Sequence, residues 1–129
     1  MTRSTITTDG APAAIGPYVQ GVRVGNLIFT AGQGALDPIT GQVVPGGITE
    51  QTRRTLENLK AVLEAGGSSL GQVVKATVFL KDINDFSAMN AVYSAYFGSD
   101  EETLPARTTV EVSRLPRNVL VEIEVVAEV

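Results

Sequence analysis

Leu104-Pro105-Ala106-Arg107-Thr108-Thr109-Val110-Glu111-Val112 reads as a short entry loop running into a β-strand. Pro105 cannot donate a backbone hydrogen bond, so it suits a strand entrance rather than a central ladder position. From Arg107 onward the side chains alternate. Thr108, Val110 and Val112 point one way and can bury against a core, while Arg107, Thr109 and Glu111 point the other. The second row carries a permanent cation, a hydroxyl and a carboxylate.

Working outward, the closing segment Val119 to Val129 splits in the same manner. Val119, Val121, Ile123 and Val125 form one apolar row; Leu120, Glu122, Glu124 and Val126 form the other. Between the two runs lies Leu115-Pro116-Arg117-Asn118, rich in turn formers. The pair is predicted to form a hairpin-like unit with a loop longer than the tightest turns. If the apolar rows share a face, Arg107 and Glu122 share the opposite one.

The composition narrows the chemistry. The chain has 129 residues, the size of one domain with a real core, and we expect a single domain over residues 1–129. Its net charge of −4, with no basic run, disfavours a dedicated nucleic-acid binder. No apolar run is long enough to span a membrane and the N-terminus is polar rather than signal-like, so the expected location is cytoplasmic. Cysteine and histidine are both absent. That excludes a disulfide scaffold, a thiolate nucleophile, cysteine-bound zinc and the commonest general base. Catalysis must rest on carboxylate, Arg, Lys, Tyr, hydroxyl or backbone groups, and no Walker, Rossmann or EF-hand pattern is present.

Along the chain, Ser4 to Thr8 is a short β-prone run broken by Asp9-Gly10-Ala11-Pro12. Gly16-Pro17 makes a constrained corner, and Tyr18 follows it, either as an aromatic packed beneath a loop or as a site residue. Val19 to Val24 and Asn26 to Ala31 are predicted strands joined around Gly25-Asn26. Gly32 permits either a strand-ending bend or a close approach of backbone to a ligand. Asp37 to Gly47 is a turn-rich loop. Ile48 to Ala65 is a helix by its apolar spacing, stopped at Gly66-Gly67. Ser69 to Gln72 has the form of a capping box. Val73 to Lys81 is apolar on both faces and is predicted to be a central strand. Asp82 to Phe97 contains the second helix, with Asp85 as N-cap and a core stripe of Phe86, Met89, Val92, Tyr93, Tyr96 and Phe97. Asn90 lies within this helix, where asparagine is a mediocre former.

The order β-β-β-α-β-α-β-β implies an α+β protein whose two helices cover only one face of a mainly antiparallel, mixed sheet. Leu120 and Val126 remain on the other face beside the charges, and we expect another subunit to cover them.

Six stretches carry a resemblance to a known family: Ala11 to Gln20, Thr30 to Gln33, Val78 to Asp82, Asn90 to Tyr93, Pro105 to Arg107 and Glu122 to Glu124. In order, over essentially the whole chain, they resemble the reactive intermediate deaminase family, RidA (YjgF/L-PSP). The resemblance implies a chorismate-mutase-like fold, a homotrimer with ligand clefts between subunits, and a small imine or keto-acid ligand. It also implies hydrolysis of enamines or imines, such as 2-aminoacrylate released by pyridoxal-phosphate enzymes, to ketones and ammonia without a cofactor of its own. Matched position by position, Arg107 corresponds to the arginine that holds the substrate carboxylate and Glu122 to the acid that activates water. Tyr18 corresponds to the tyrosine that closes the cleft, Asn90 to an asparagine near it, and Ala31 and Gly32 to the pocket lining. Ala31 replaces a common serine and Thr109 a common cysteine.

The chemistry is coherent on elementary grounds. An imine carbon is already electrophilic, so its hydrolysis needs a held substrate, a placed water and a proton carrier. Arginine binds a carboxylate in bidentate fashion and thereby orients the reacting carbon. A carboxylate within reach polarises water and returns the proton to nitrogen. Burial would raise the pKa of Glu122 and a nearby Arg107 would lower it. Three alternatives stand beside this reading: a cross-strand ion pair with only a structural role, a non-catalytic trimer that binds small carboxylates or a partner, and a ribonuclease or translation inhibitor. The acidic composition counts against the last.

Overall fold

The computed structural model describes residues 2–129. Its strands are β1 (Arg3–Ile6), β2 (Gly21–Val24), β3 (Leu27–Thr30), β4 (Gln33–Gly34), β5 (Val73–Leu80), β6 (Ala106–Glu111) and β7 (Val121–Glu128). The helices are α1 (Ile48–Ala65), between β4 and β5, and α2 (Phe86–Phe97), between β5 and β6. The strands form one sheet in the order β1-β2-β3-β7-β5-β6, with β4 also paired to β7. Every pairing is antiparallel except β5 with β6. A parallel pair needs a crossover, and α2 supplies it. The α+β class, the mixed sheet and the central position of the Val73 strand agree with the sequence.

Both helices lie on one face. Leu56, Leu59, Val62 and Leu63 of α1 and Met89 of α2 are fully buried in one cluster with Ala76, Val78, Leu80, Val121, Ile123 and Ala127 from the sheet. Each fully buried aliphatic chain contributes about 1.5–3 kcal/mol, so this layer dominates the stability. The start of α1 is closed by Glu50, whose carboxylate accepts from the Gly47 N–H at 2.8 Å. Its end is closed by Gly67 at φ +89°, with the Ser68 N–H donating to Leu63 O at 2.8 Å. The start of α2 departs from expectation: the Asp85 side chain makes no cap bond. Asp82 instead caps a single 3₁₀ turn, Ile83–Asp85, by accepting from Asn84 N at 2.9 Å.

The opposite face is open within the protomer. Phe29 is 45% exposed and Val110 38% exposed, so large apolar groups stand on the surface there.

The predicted hairpin of the last two strands is not formed. β5 lies between them, parallel to β6 and antiparallel to β7. Their connection passes over the end of β5: Val112 N donates to Leu80 O at 2.8 Å and Lys81 N to Leu120 O at 3.0 Å. Two-residue alternation states which side chains share a face of one strand; it carries no information about which strand lies beside it.

Buried amides of α1 tie the sheet edges to the helix. Gln51 Oε1 accepts from Leu120 N at 2.8 Å, and Asn58 Nδ2 donates to Gly34 O and Leu36 O at 3.1 and 3.0 Å. These bonds hold β4 and the entrance to β7. Asn58→Ala would leave two carbonyls unpaired, and we expect a loss of about 2–4 kcal/mol in urea unfolding. A loss below about 0.5 kcal/mol would mean that β4 does not depend on this anchor.

Candidate functional site

Glu122 lies in β7 opposite Phe79 of β5, and therefore on the open face. Its setting is made by a bulge. Phe29 pairs with Val126 and Gln33 with Ile123, so the β3–β4 side advances four positions while β7 advances three. The Thr30 hydroxyl bridges the irregularity by accepting from Val125 N at 3.0 Å, and Ala31 N donates to Gln20 O at 2.9 Å. Gly32 is thereby pressed against Glu122: a Cβ on it would lie 2.8 Å from Glu122 Cδ. Gly32 lies in the break between β3 and β4, the strand-ending bend of the two readings, and its missing side chain makes room for the Glu122 carboxylate.

Glu122, Gly32, Ala31 and Tyr18 line a cavity of about 610 Å³, with Pro116 and Arg117 at another wall. Tyr18 is 52% exposed, and its ring folds back on the Gly16-Pro17 corner, with the hydroxyl accepting from Ile15 N at 3.3 Å. Gln20 fixes the segment across from it, donating through Nε2 to Thr8 O, Ala11 O and Pro12 O at 3.0, 3.3 and 2.8 Å. Burial, reinforced by the neighbouring charge of Glu124, pushes the Glu122 carboxyl above its ordinary value of 4.5. Arg107 has no part in this shift, so the opposing effect allowed by the sequence is absent within a protomer.

Arg107 is elsewhere. It pairs laterally with Ala76, whose side chain is on the helix-covered face, so the guanidinium points towards α2. It sits over the Tyr93 ring, 4.6 Å from the centroid, and near the Phe86 ring at 5.5 Å. Thr109, two residues along β6, shares this face. Arg107, Asn90, Tyr93, Leu104 and Pro105 line a surface recess of about 460 Å³. Asn90 Oδ1 and Tyr93 OH in the recess, and Thr109 Oγ1 further along the same face of β6, are buried without a hydrogen-bond partner. Each such orphan costs about 1–3 kcal/mol, an expense that a ligand or a neighbouring chain would relieve.

The expectation that Arg107 and Glu122 share a face is therefore corrected. The row taken as apolar in β6, Thr108 and Val110, is the one on the open side, and the polar row faces α2. The reason is that β6 is an edge strand whose cover consists of aromatic rings, which accept a cation where aliphatic side chains would not. Tyr18, Ala31, Gly32 and Glu122 come together in one place and Arg107 and Asn90 in another, with Thr109 further along the same face of β6.

The sequence profile described as Endoribonuclease L-PSP matches residues 8–129. The chain belongs to the endoribonuclease L-PSP family. It is 58% identical to a RutC family protein of Pyrococcus abyssi over 98% of both chains. It is 54% identical to the 2-iminobutanoate/2-iminopropanoate deaminase of Escherichia coli K12 over 95% of both chains. Among solved structures, Escherichia coli TdcF with bound serine superposes with a TM-score of 0.91 at 46% identity, covering 98% of both chains.

In this L-PSP protein the polar anchors Gln20, Gln51 and Asn58 escaped the sequence reading, because an amide within an apolar-periodic stretch does not reveal its partner. Arg117 escaped it too. It has φ +62° and is followed by Asn118 at φ +57°, two left-handed residues after Pro116 at the cavity wall. Only the Pro-Arg-Asn composition hinted at an unusual turn.

By carboxyl-carbon NMR we expect Glu122 to titrate with a midpoint above 4.5. Glu124→Gln should lower that midpoint without restoring the ordinary value, because burial is the larger cause and remains. An unchanged midpoint would remove Glu124 as a contributor.

Proposed function

We propose that the protein hydrolyses reactive enamines and imines of small amino acids, of the 2-aminoacrylate, 2-iminopropanoate and 2-iminobutanoate type, to 2-oxo acids and ammonia. The sites are clefts between the protomers of a homotrimer. The observation that carries this reading is the separation of the two half-sites on opposite faces of one protomer. A cation with unpaired polar neighbours on one and an activated carboxylate on the other are complete only when two copies meet. The exposed apolar face gives a reason for them to meet. The deaminase name of the Escherichia coli relative supports the same chemistry.

In this mechanism Arg107 of one protomer holds the substrate carboxylate, and Asn90 lies beside it. Glu122 of the next, with Gly32 and Tyr18, places a water against the imine carbon. The carboxylate takes a proton from water as oxygen bonds to that carbon, and the C=N electron pair moves to nitrogen. The proton is then returned to nitrogen; Glu122 next takes the remaining hydroxyl proton and passes it to nitrogen as the C=O bond forms, the C–N bond breaks and ammonia leaves. Glu122 holds its proton more tightly than an exposed carboxylate, which suits it to both transfers. Positioning supplies much of the acceleration, and the electrophilic imine needs no cofactor. The proposed setting is cytoplasmic, near the pyridoxal-phosphate enzymes that release such imines. Among the described residues no helix is long and apolar enough to cross a membrane.

A second reading, a carboxylate-binding trimer without turnover, is favoured by the serine bound to the related TdcF. Imine disappearance discriminates the two. With an amino-acid oxidase or dehydratase generating the imine and semicarbazide trapping what remains, the wild type should accelerate its loss. Arg107→Ala should lower kcat/KM by about 100-fold or more, and Glu122→Gln should depress kcat while sparing oxo-acid binding. No acceleration across several imines would establish the binding reading.

Co-refolding equal amounts of Arg107→Ala and Glu122→Gln should recover about one quarter of the wild-type activity, since random assembly rebuilds an intact Arg107–Glu122 cleft at that share of interfaces. Mixtures no more active than the separate variants would place both groups of a site in one protomer.

The acid limb of kcat/KM should follow Glu122. Activity should fall as pH drops through the Glu122 pKa, which burial and the Glu124 charge raise and the facing Arg107 of the assembled cleft lowers, because protonation removes the base. The limb should be missing in Glu122→Gln. Sedimentation should give three protomers, and an active monomer would sink the inter-subunit cleft.

A further inference from the structure

Arg107 is held in an unusual way for a ligand-binding cation. Among the described residues no carboxylate pairs with it; its neighbours are two aromatic rings of α2. Phe86 and Tyr93 are seven residues apart, two helical turns, and so present their rings on one side of the helix. Tyr93 is 5% exposed and is itself wedged by Phe97, with ring centroids 4.4 Å apart and planes tilted by 33°. The guanidinium lies over the ring face, whereas the Tyr93 hydroxyl has no hydrogen-bond partner. The ring face holds the guanidinium, and the hydroxyl is near enough to feel the Arg107 charge without reaching hydrogen-bond geometry.

This arrangement has a chemical consequence. A carboxylate anchor would occupy the N–H fork and neutralise the charge that an anionic ligand needs. A ring attracts the cation through its quadrupole, perpendicular to the guanidinium plane, and leaves the in-plane N–H donors free.

We infer that Tyr93, assisted by Phe86, is the positioning residue of the Arg107 carboxylate clamp. Its ring sets the plane in which the N–H fork is offered to the ligand. The inference rests on the reading above that Arg107 binds the ligand carboxylate.

The test is calorimetric titration of the assembled protein with 2-oxobutanoate, alongside imine hydrolysis, in Tyr93→Phe, Tyr93→Leu and Arg107→Ala. Tyr93→Phe keeps the ring and should bind within about two-fold of wild type. Tyr93→Leu should weaken Kd by about 5–30-fold, with KM rising in parallel. A purely structural role would lower the melting temperature of Tyr93→Leu but leave the Kd of the folded protein unchanged. Wild-type affinity in Tyr93→Leu, with binding lost in Arg107→Ala, would overturn the positioning role and leave the clamp standing. Equal losses in Tyr93→Phe and Tyr93→Leu would make the hydroxyl the ligand contact and overturn it too. Wild-type affinity in Arg107→Ala would overturn the clamp itself. Should Tyr93→Leu fail to fold, Phe86→Leu at the more exposed ring should weaken Kd by about 2–5-fold, and no change there would overturn the inference.

Discussion

The lateral register of β5 governs this molecule. Ala76 pairs with Arg107 on one side and Val125 on the other; Phe79 pairs with Val110 and Glu122. Partners in a ladder share a face, and successive residues alternate. With helices on one face only, this register commits Arg107 to the covered side and Glu122 to the open side. Sliding β7 by one residue would bring Glu122 to the covered side with Arg107 and would turn Val121 and Ile123, which are fully buried, out of the core. Packing of the aliphatic layer thus enforces the separation of the two polar groups.

Each half-site is then tuned by local means. On the open side a one-residue bulge brings a residue without a side chain against Glu122, and partial burial beside Glu124 makes its proton harder to remove. Asn58, Gln51 and Gln20 hold the surrounding backbone from beneath, so the carboxylate rests on pinned strands rather than on a free loop. On the covered side the cation is held by ring faces, and three polar atoms on that side lack partners. Both arrangements cost stability locally. The buried Leu and Val layer between α1 and the sheet offsets that cost.

The proposed composite cleft follows from these two facts together. A protomer with one complete cavity would need no second copy for chemistry, whereas here the charges that an anionic imine and its water require are on opposite faces. Assembly would bury the apolar open side and bring a cation to a carboxylate in one step, so oligomer formation and function would share a single interface.

Much was legible in the sequence because it depends on local physics. The α1 boundaries follow from apolar spacing and Gly66-Gly67, the β6 entrance from Pro105, the centrality of Val73–Leu80 from its apolar faces, and the one-sided helical cover from the element order. The grouping of Tyr18 with Gly32 and of Arg107 with Asn90 was not legible, nor was the insertion of β5 between β6 and β7. A period of two reports the faces of a strand, but lateral neighbours are chosen by the packing of α1 and α2 on the whole sheet. By itself the sequence determined which residue types could do chemistry, since cysteine and histidine are absent and Arg, Glu and Tyr remain. Only the tertiary structure decided that Arg107 and Glu122 stand back to back, because that depends on which face of the sheet the helices bury.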